Sequence, residues 1–425
     1  KMFNAEKEIK KWAPVLEHTD EAPITDSYKK AVTAKLLENT EVALREQAVA
    51  SNFGSLQEAD GNMNTSAVSN FDPVLISLVR RAMPNLIAYD VAGVQPMSGP
   101  TGLAFAMKAK FGDGNAITGA PSGAQPEALF NEADTDFSGT GTHAGDLFDS
   151  PEAGITTGTG LGTNGAETAN IGAEMGFSIE RASVTAKTRQ LKAEYTMELA
   201  QDLKAVHGLD AEAELANILS GEILAEINRE VIRSMVITGK VGGVGATEAF
   251  DLVADADGRW AVEKFQSLIF QIEQEANQIA IDTRRGKGNF VIASSNVASA
   301  LAASGKLVFG GSEGLNVDAA GNTFAGTLNG RLKVYVDPYA TADYVTVGYK
   351  GDSAYDAGLF YCPYVPLTMV RAVGENSFQP KIAFKTRYGL IANPIIGAVS
   401  GIGAAKSNPY YRTFRVKNIN VGGQS

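Results

Sequence analysis

Residues 210–236 read DAEAELANILSGEILAEINREVIRSMV. Within this stretch Leu215, Leu219, Ile223, Ile227, Val231 and Met235 recur every four residues, with Ile218, Leu224 and Ile232 beside them. At 3.6 residues per turn that spacing gathers the side chains into one apolar stripe along a helix. Asp210 suits the N-cap, Glu212 and Glu214 favour the positive end of the helix dipole, and Gly239 follows the end. With a rise of 1.5 Å per residue the helix spans roughly 40 Å, the length of a domain. A stripe of this length needs a sheet or another helix to cover it, because helices draw most of their stability from tertiary packing. The fold is therefore expected to be built around this helix.

The covering material lies on both sides of it. Residues 261–280 carry Phe265, Leu268, Ile269, Ile272, Ala276 and Ile279 at helical spacing. After them come a strand at 289–293, a helix at 296–303 and β-rich runs at 332–336, 344–349, 359–364 and 382–388. Phe414 and Val416 close the chain in another alternating segment. Toward the N-terminus, residues 27–50 form an amphipathic helix through Leu36, Leu37, Ala43, Leu44 and Val49, capped by Asp26 or Ser27. Helices first and mostly strands afterwards give an α+β class, not regular βαβ repeats.

Between the two helical regions, Leu103, Phe105, Met107 and Phe111 share one parity while Lys108 and Lys110 take the other. The matching strand is distant, at 177–191, where Arg181, Lys187 and Arg189 share one face and Ala182, Val184 and Ala186 the other. The plan is a long two-stranded projection carrying the insert 112–176. That insert holds no Lys or Arg, 10 acidic residues and 14 Gly. It reads as a flexible, solvated surface loop, because few large apolar residues offset the entropy of ordering it.

The insert also carries nearly all of the chain's net charge of −11. The remainder is balanced, so no basic face for sequence-specific DNA binding is expected. No apolar run is long enough for a membrane span, and the charged start is no secretory signal. Cys362 stands alone, and His18, His143 and His207 are scattered, so no disulfide, metal site or cofactor site is expected. The glycines in Lys240-Val241-Gly242-Gly243-Val244-Gly245 follow a helix instead of opening one, which favours a turn between domains over a phosphate cradle. Arg284-Arg285-Gly286-Lys287-Gly288 reads as the cations and turn glycines of a helix end. Glu273 with Glu275, and Glu212 with Glu214, are two apart on helices and point in different directions, so neither pair shares one substrate. His207 beside Gly208 reads as a helix end. An enzyme is not expected; a hydrolase would rest on scattered glycine turns alone.

One short motif stands at a composition break. Leu56-Gln57-Glu58-Ala59 lies where the helical leader stops and the small, polar stretch 59–70 begins. A protease needs such an extended, accessible boundary.

Longer strings give that motif its meaning. Val79-Arg80-Arg81-Ala82-Met83-Pro84-Asn85-Leu86-Ile87-Ala88-Tyr89-Asp90 and Gly93-Val94-Gln95-Pro96-Met97 resemble the major capsid proteins of T-even-like tailed bacteriophages. So do Arg189-Gln190-Leu191-Lys192-Ala193-Glu194-Tyr195, Glu226-Ile227-Asn228-Arg229-Glu230 and Phe384-Lys385-Thr386-Arg387-Tyr388-Gly389. The strings keep the family's order over most of residues 1–417. The resemblance implies an HK97 fold with an N-terminal arm, a long E-loop, a peripheral domain with a spine helix, and an axial domain. On that plan residues 1–58 are a propeptide leader, 59–100 the arm and 101–192 the E-loop with its insert. Residues 193–258 are the peripheral domain with the spine, 259–375 mainly axial, and 376–425 peripheral strands and C-terminus.

The resemblance also implies a precursor, trimmed by a prohead protease after a Leu/Ile-X-Glu pattern. Leu56-Gln57-Glu58 followed by Ala59 fits that pattern, whereas Leu36-Leu37-Glu38 and Leu44-Arg45-Glu46 match only the triplet. The expected function is self-assembly into hexamers and a virion shell around non-specifically held dsDNA, formed in the bacterial host cytoplasm. The implied partners are a pentameric vertex protein, a portal and an internal scaffold. An encapsulin-like cellular compartment, which shares the fold, is the alternative. Arg181, Lys187 and Arg189 either form a solvated face or pair with acidic groups of a neighbouring subunit.

Overall fold

The computed structural model describes residues 5–18, 23–52, 79–80, 83, 86–111, 127–129, 133, 135–143, 156–168, 175–243, 248–258, 260–308, 316–317, 323–396 and 401–419. Its helices are α1 (Ala5–Leu16), α2 (Ser27–Asn52), α3 (Ala88–Val91), α4 (Thr163–Thr168), α5 (Met197–His207), α6 (Ala211–Thr238), α7 (Ala261–Thr283) and α8 (Ser295–Ala303). Its first strands are β1 (Gly93–Val94), β2 (Thr101–Phe111), β3 (Met175–Thr185), β4 (Lys187–Glu194), β5 (Gly239–Val241), β6 (Ala249–Asp251) and β7 (Phe290–Ser294). They are followed by β8 (Leu307–Val308), β9 (Asn316–Val317), β10 (Thr323–Leu328), β11 (Leu332–Asp337), β12 (Tyr344–Gly348), β13 (Leu359–Val373), β14 (Pro380–Ala392) and β15 (Asn408–Lys417). The chain divides into two units, Lys1–Leu103 with Ala182–Ser425, and Ala104–Arg181.

The larger unit is built on two sheets. One has the order β1-β13-β14-β4; the other runs β5-β15-β12-β7-β11-β10-β8, with β6 beside β15 and β9 beside β10. The helix of the opening stretch, α6, buries Leu219, Ile223, Leu224, Ile227, Val231, Ile232 and Met235 in one core with Phe384, Tyr388 and Tyr411. Burying each such aliphatic side chain contributes roughly 1.5–3 kcal/mol. Asp210 caps this helix by accepting the Glu212 amide at 3.1 Å. Ile218 departs from the expected stripe: it is 65% exposed. The second core lies under α7, where Leu268, Ile272, Ala276 and Ile279 meet Val291, Val345, Val347 and Phe414 of the nine-stranded sheet. The α+β class follows from this mixture, in which β7 pairs parallel with β11 but antiparallel with β12.

One expectation is corrected. The run 177–191 is not one strand: β3 ends at Thr185, and β4 pairs along β14 from Lys187↔Tyr388 to Glu194↔Lys381. The smaller unit ends at Arg181, whereas β4 lies in the larger one. A division at 375/376 would cut between β13 and β14, which pair antiparallel from Leu359↔Ala392 to Val373↔Pro380. The last strand, β15, pairs antiparallel with β12 in the nine-stranded sheet. The close fit at the exit of β3 explains Gly389: a Cβ there would stand 2.3 Å from Val184 Cγ2.

The smaller unit is the hairpin β2–β3 with the described parts of the insert. Among the described residues of 112–176, Ala128 is the buried one. Local contacts nonetheless organise this region: the rings of Phe111 and Phe137 lie 4.6 Å apart, and Thr140 and Thr159 form a bridge. The expectation that the whole insert is the least ordered part of the chain falls largely on residues outside those described.

Candidate assembly and processing sites

The hairpin inverts the usual strand rule. Alternation normally turns the apolar parity toward a core. Here Leu103, Phe105 and Met107 on β2, and Met175, Phe177 and Ile179 on β3, are exposed; Phe105 is 63% and Phe177 70% accessible. The opposite parity holds the inward groups, Ala106 on β2 and Ala182 and Val184 on β3. Lys108 sits on that parity and pairs with Glu180 at 3.3 Å. The alternation was visible in the sequence; the direction in which it points was not, because parity alone does not say which face has a neighbour.

Arg181 lies on β3 in the smaller unit, and Lys187 and Arg189 lie on β4 in the larger one. Arg181 is exposed on β3, on the same parity as Phe177 and Ile179. Lys187 is exposed at the start of β4. Arg189 is half-buried and satisfied within its own chain. Its Nη1 donates to Glu226 Oε2 at 3.0 Å, its Nη2 to Glu230 Oε2 at 2.6 Å, and its Nε to the Tyr388 hydroxyl. Burial acts to lower the Arg189 pKa, but the hydrogen bonds it donates to Glu230 and Tyr388 outweigh this and raise it. Burial likewise raises the Tyr388 hydroxyl, reinforced by Glu230. A sequence signal for this cluster exists: Glu226 and Glu230 are i,i+4 on α6, a repulsive pair unless a cation stands between them.

The other singled-out groups have structural partners. Glu273 receives Lys287 and Arg331, each at 2.6 Å, while Glu275 receives Arg412 and the Gly243 amide, the latter at 2.8 Å. The two carboxylates thus diverge as expected. Burial alone would raise Glu273, but its hydrogen bond from Lys287 and the charge of Arg331 hold it below the ordinary carboxylate value. His207 ends α5, and Gly208 closes that helix in the left-handed conformation at φ 68°. Cys362 is buried, and burial pushes its thiol up to about 12. Among the described residues, no His/Cys/Asp/Glu group is arranged to hold a metal ion. No helix among them is long and apolar enough to cross a membrane.

Residues 1–58, expected to be a leader, hold α1 and α2 among their described residues. Charge pairs join α1 to α2: Lys11 to Glu38 at 2.7 Å and Lys35 to Glu8 at 2.9 Å. The α1 helix was not anticipated from the charged N-terminal stretch. Asp26, not Ser27, caps α2, accepting the Tyr28 amide at 2.9 Å. The motif residues Leu56, Glu58 and Ala59 lie outside the described residues, beyond the end of α2 at Asn52.

A chain whose β2–β3 hairpin exposes an apolar parity invites comparison with assembly proteins. The family model described as major capsid protein Gp23 matches residues 68–416. The chain belongs to the Gp23 family. A major capsid protein of Salmonella phage ViI is 43% identical over 447 residues, spanning 99% of this chain and 99% of its own. The major capsid protein of Enterobacteria phage T4 is 36% identical, spanning 97% of this chain and 98% of its own. Among solved structures, a chain from the capsid of Myoviridae phage XM1 is similar with a TM-score of 0.42 and 11% identity, covering 78% of this chain and 92% of that one. The T-even-like resemblance read from the strings is thus that of the Gp23 family, and nothing in these likenesses favours an encapsulin.

Proposed function

We propose that this Gp23-family chain is the building block of a tailed-phage head, assembling with copies of itself into hexameric capsomers and a closed shell. The observation that carries this reading is the exposed apolar face of β2 and β3. A hairpin has no interior of its own, and large apolar residues exposed on one parity of both its strands favour a protein–protein surface. Its role is structural, and no catalytic step is assigned to it. The four-stranded sheet with α6 serves as the peripheral domain, and the nine-stranded sheet with α7 and α8 as the axial domain. Partners are further copies, a pentameric vertex protein, a portal, an internal scaffold and a prohead protease, with packaged dsDNA held non-specifically. Assembly takes place in the bacterial host cytoplasm, and the product is part of the virion. Electron microscopy of the purified chain tests the reading: closed shells or hexameric rings are expected, and a persistent monomer at high concentration contradicts it.

Processing is the second part of the proposal. The leader is removed between Glu58 and Ala59, at the boundary between α2 and the polar stretch that follows. Mass spectrometry of mature particles should find a chain beginning at Ala59, and a mature chain that retains residues 1–58 excludes the cut.

A further inference from the structure

We infer that the surface holding the leader is a reusable docking groove, so that residues 1–58, once severed, stay bound to the body as a separate helical hairpin. This rests on the reading that the leader is cut after Glu58. The occupant is the leader itself, and three observations carry the inference.

First, α2 is seated in the body and not merely laid on it. Val32 is fully buried, and Leu36 and Leu37 are each 1% exposed. They belong to the same core as Val79, Leu86, Tyr89, Val94 and Tyr361. Second, polar groups key the helix into place. The buried Asn39 side-chain amide donates to Met97 O at 2.9 Å and to Tyr364 O at 2.7 Å, joining two separate body segments. The Tyr28 hydroxyl donates to Val94 O, and the Lys29 ammonium stands 5.4 Å from the centre of the Tyr89 ring. Arg80 Nη2 donates to His18 O at 3.0 Å. Third, every one of these body partners lies at Val79 or beyond. A cut between Glu58 and Ala59 breaks none of these contacts.

The leader is also organised on its own account. Besides the pairs of Lys11 and Lys35, Lys30 reaches Glu17 at 2.6 Å. A hairpin held in this way sacrifices little conformational freedom on rebinding, which favours retention. Departure would leave the carbonyls of Met97 and Tyr364 without their donor and bare an apolar seat. Cutting removes only the high effective concentration that the covalent link supplied. Lasting loss of the leader from a concentrated solution therefore requires a second event that destroys α2.

The test uses the full chain with a recognition sequence for a site-specific protease inserted between Glu58 and Ala59, so it does not depend on the natural cut. After digestion at micromolar concentration, fragment 1–58 is expected to co-elute with the body in native gel filtration and to exchange with a fluorescent synthetic copy of residues 1–58. Asn39→Ala should weaken retention about 10- to 100-fold, the cost of stranding buried hydrogen-bonding groups. Tyr28→Phe, a milder change, should weaken it less; both uncut variants should keep the parent's circular dichroism. Immediate separation of the fragment from a body that keeps its structure overturns the inference. Collapse of the body on cutting overturns it too, because the leader would then be part of the fold and not the occupant of a preformed groove.

Discussion

Between Glu226 and Glu230, five successive side chains take up different tasks, because each residue of a helix is turned 100° from the last. Glu226 and Glu230 hold Arg189, Ile227 is fully buried, and Asn228 Oδ1 accepts the Ile87 amide at 3.2 Å. Arg229 reaches the other way and pairs with Asp337 at 2.6 Å, whose side chain is inaccessible to solvent. Two substitutions, one on this turn and one on β4 opposite it, should differ in cost. Arg229→Ala strands the buried Asp337 carboxylate, leaving it the Tyr344 hydroxyl at 2.6 Å and the Tyr339 amide at 3.1 Å; a loss of about 3 kcal/mol is expected for breaking a buried pair on one side. Arg189→Ala frees Glu226 and Glu230 to meet water, since both are partly exposed, and should cost only about 1 kcal/mol. Urea denaturation of the two variants checks the order, and equal losses would refute it. Cys362 supplies a second prediction at this scale. With its thiol pushed up to about 12 by burial, it is protonated at neutral pH and shielded, so an aromatic disulfide reagent should label it only as fast as the chain opens. Rapid, stoichiometric labelling of the folded chain would contradict this. The sequence displayed these residues but not their partners: parity tells which side chains share a face, and never which distant segment that face meets.

At the scale of elements, legibility followed the strength of the periodic signal. The helices α6 and α7 were readable to within a few residues because their apolar stripes coincide with the two cores. The break between β3 and β4 was not, because Ala186 interrupts no alternation; only pairing with β14 separates the two strands. The helix α1 was hidden by its charge, which is satisfied by α2 and not by solvent alone. Those charges make the pairing of α1 with α2 sensitive to acid. Burial acts to raise Glu38, but hydrogen bonds from Lys11 and Trp12 outweigh it and hold its pKa below the ordinary 4.5. A carboxylate depressed on folding contributes stability that is complete above pH 4.5 and is lost as pH falls through its lowered value. Lys11 is shifted the other way: burial opposes its charge, Glu38 and Glu41 restore it, and its net pKa is raised above 10.5. Its contribution is therefore intact at neutral pH and fades at the alkaline end only in strong alkali. With Trp260 replaced by Phe, Trp12 remains as the single indole of the chain. Its emission should shift to the red below pH 4.5, and Glu38→Gln should move or abolish that step. An emission spectrum unchanged down to pH 3 in the parent would count against the clasp.

At the scale of the whole molecule, the question is what the outward hairpin face does when many copies meet. Six large apolar residues on β2 and β3 face outward, and Arg181 shares the parity of Phe177 and Ile179 at its margin. Apolar area supplies the attraction in such a surface, while a marginal cation selects the partner and speeds encounter. The two contributions can be separated by mutation, provided Arg189 is left alone, because its removal weakens the fold of the single chain and would confuse the outcome. Phe105→Ser with Phe177→Ser removes the attraction without touching either core, so a folded chain that fails to form shells is expected. Arg181→Gln with Lys187→Gln should leave shells able to form but slow their appearance at low ionic strength. That difference should vanish in salt, since exposed charges are screened within about 8 Å at physiological ionic strength. Light scattering during assembly reads both effects, and circular dichroism of the dissociated chain verifies the fold. Normal assembly by the double Phe variant would show that the apolar face is not an assembly surface. A salt-independent defect in the basic variant would assign Arg181 and Lys187 to packing and not to steering.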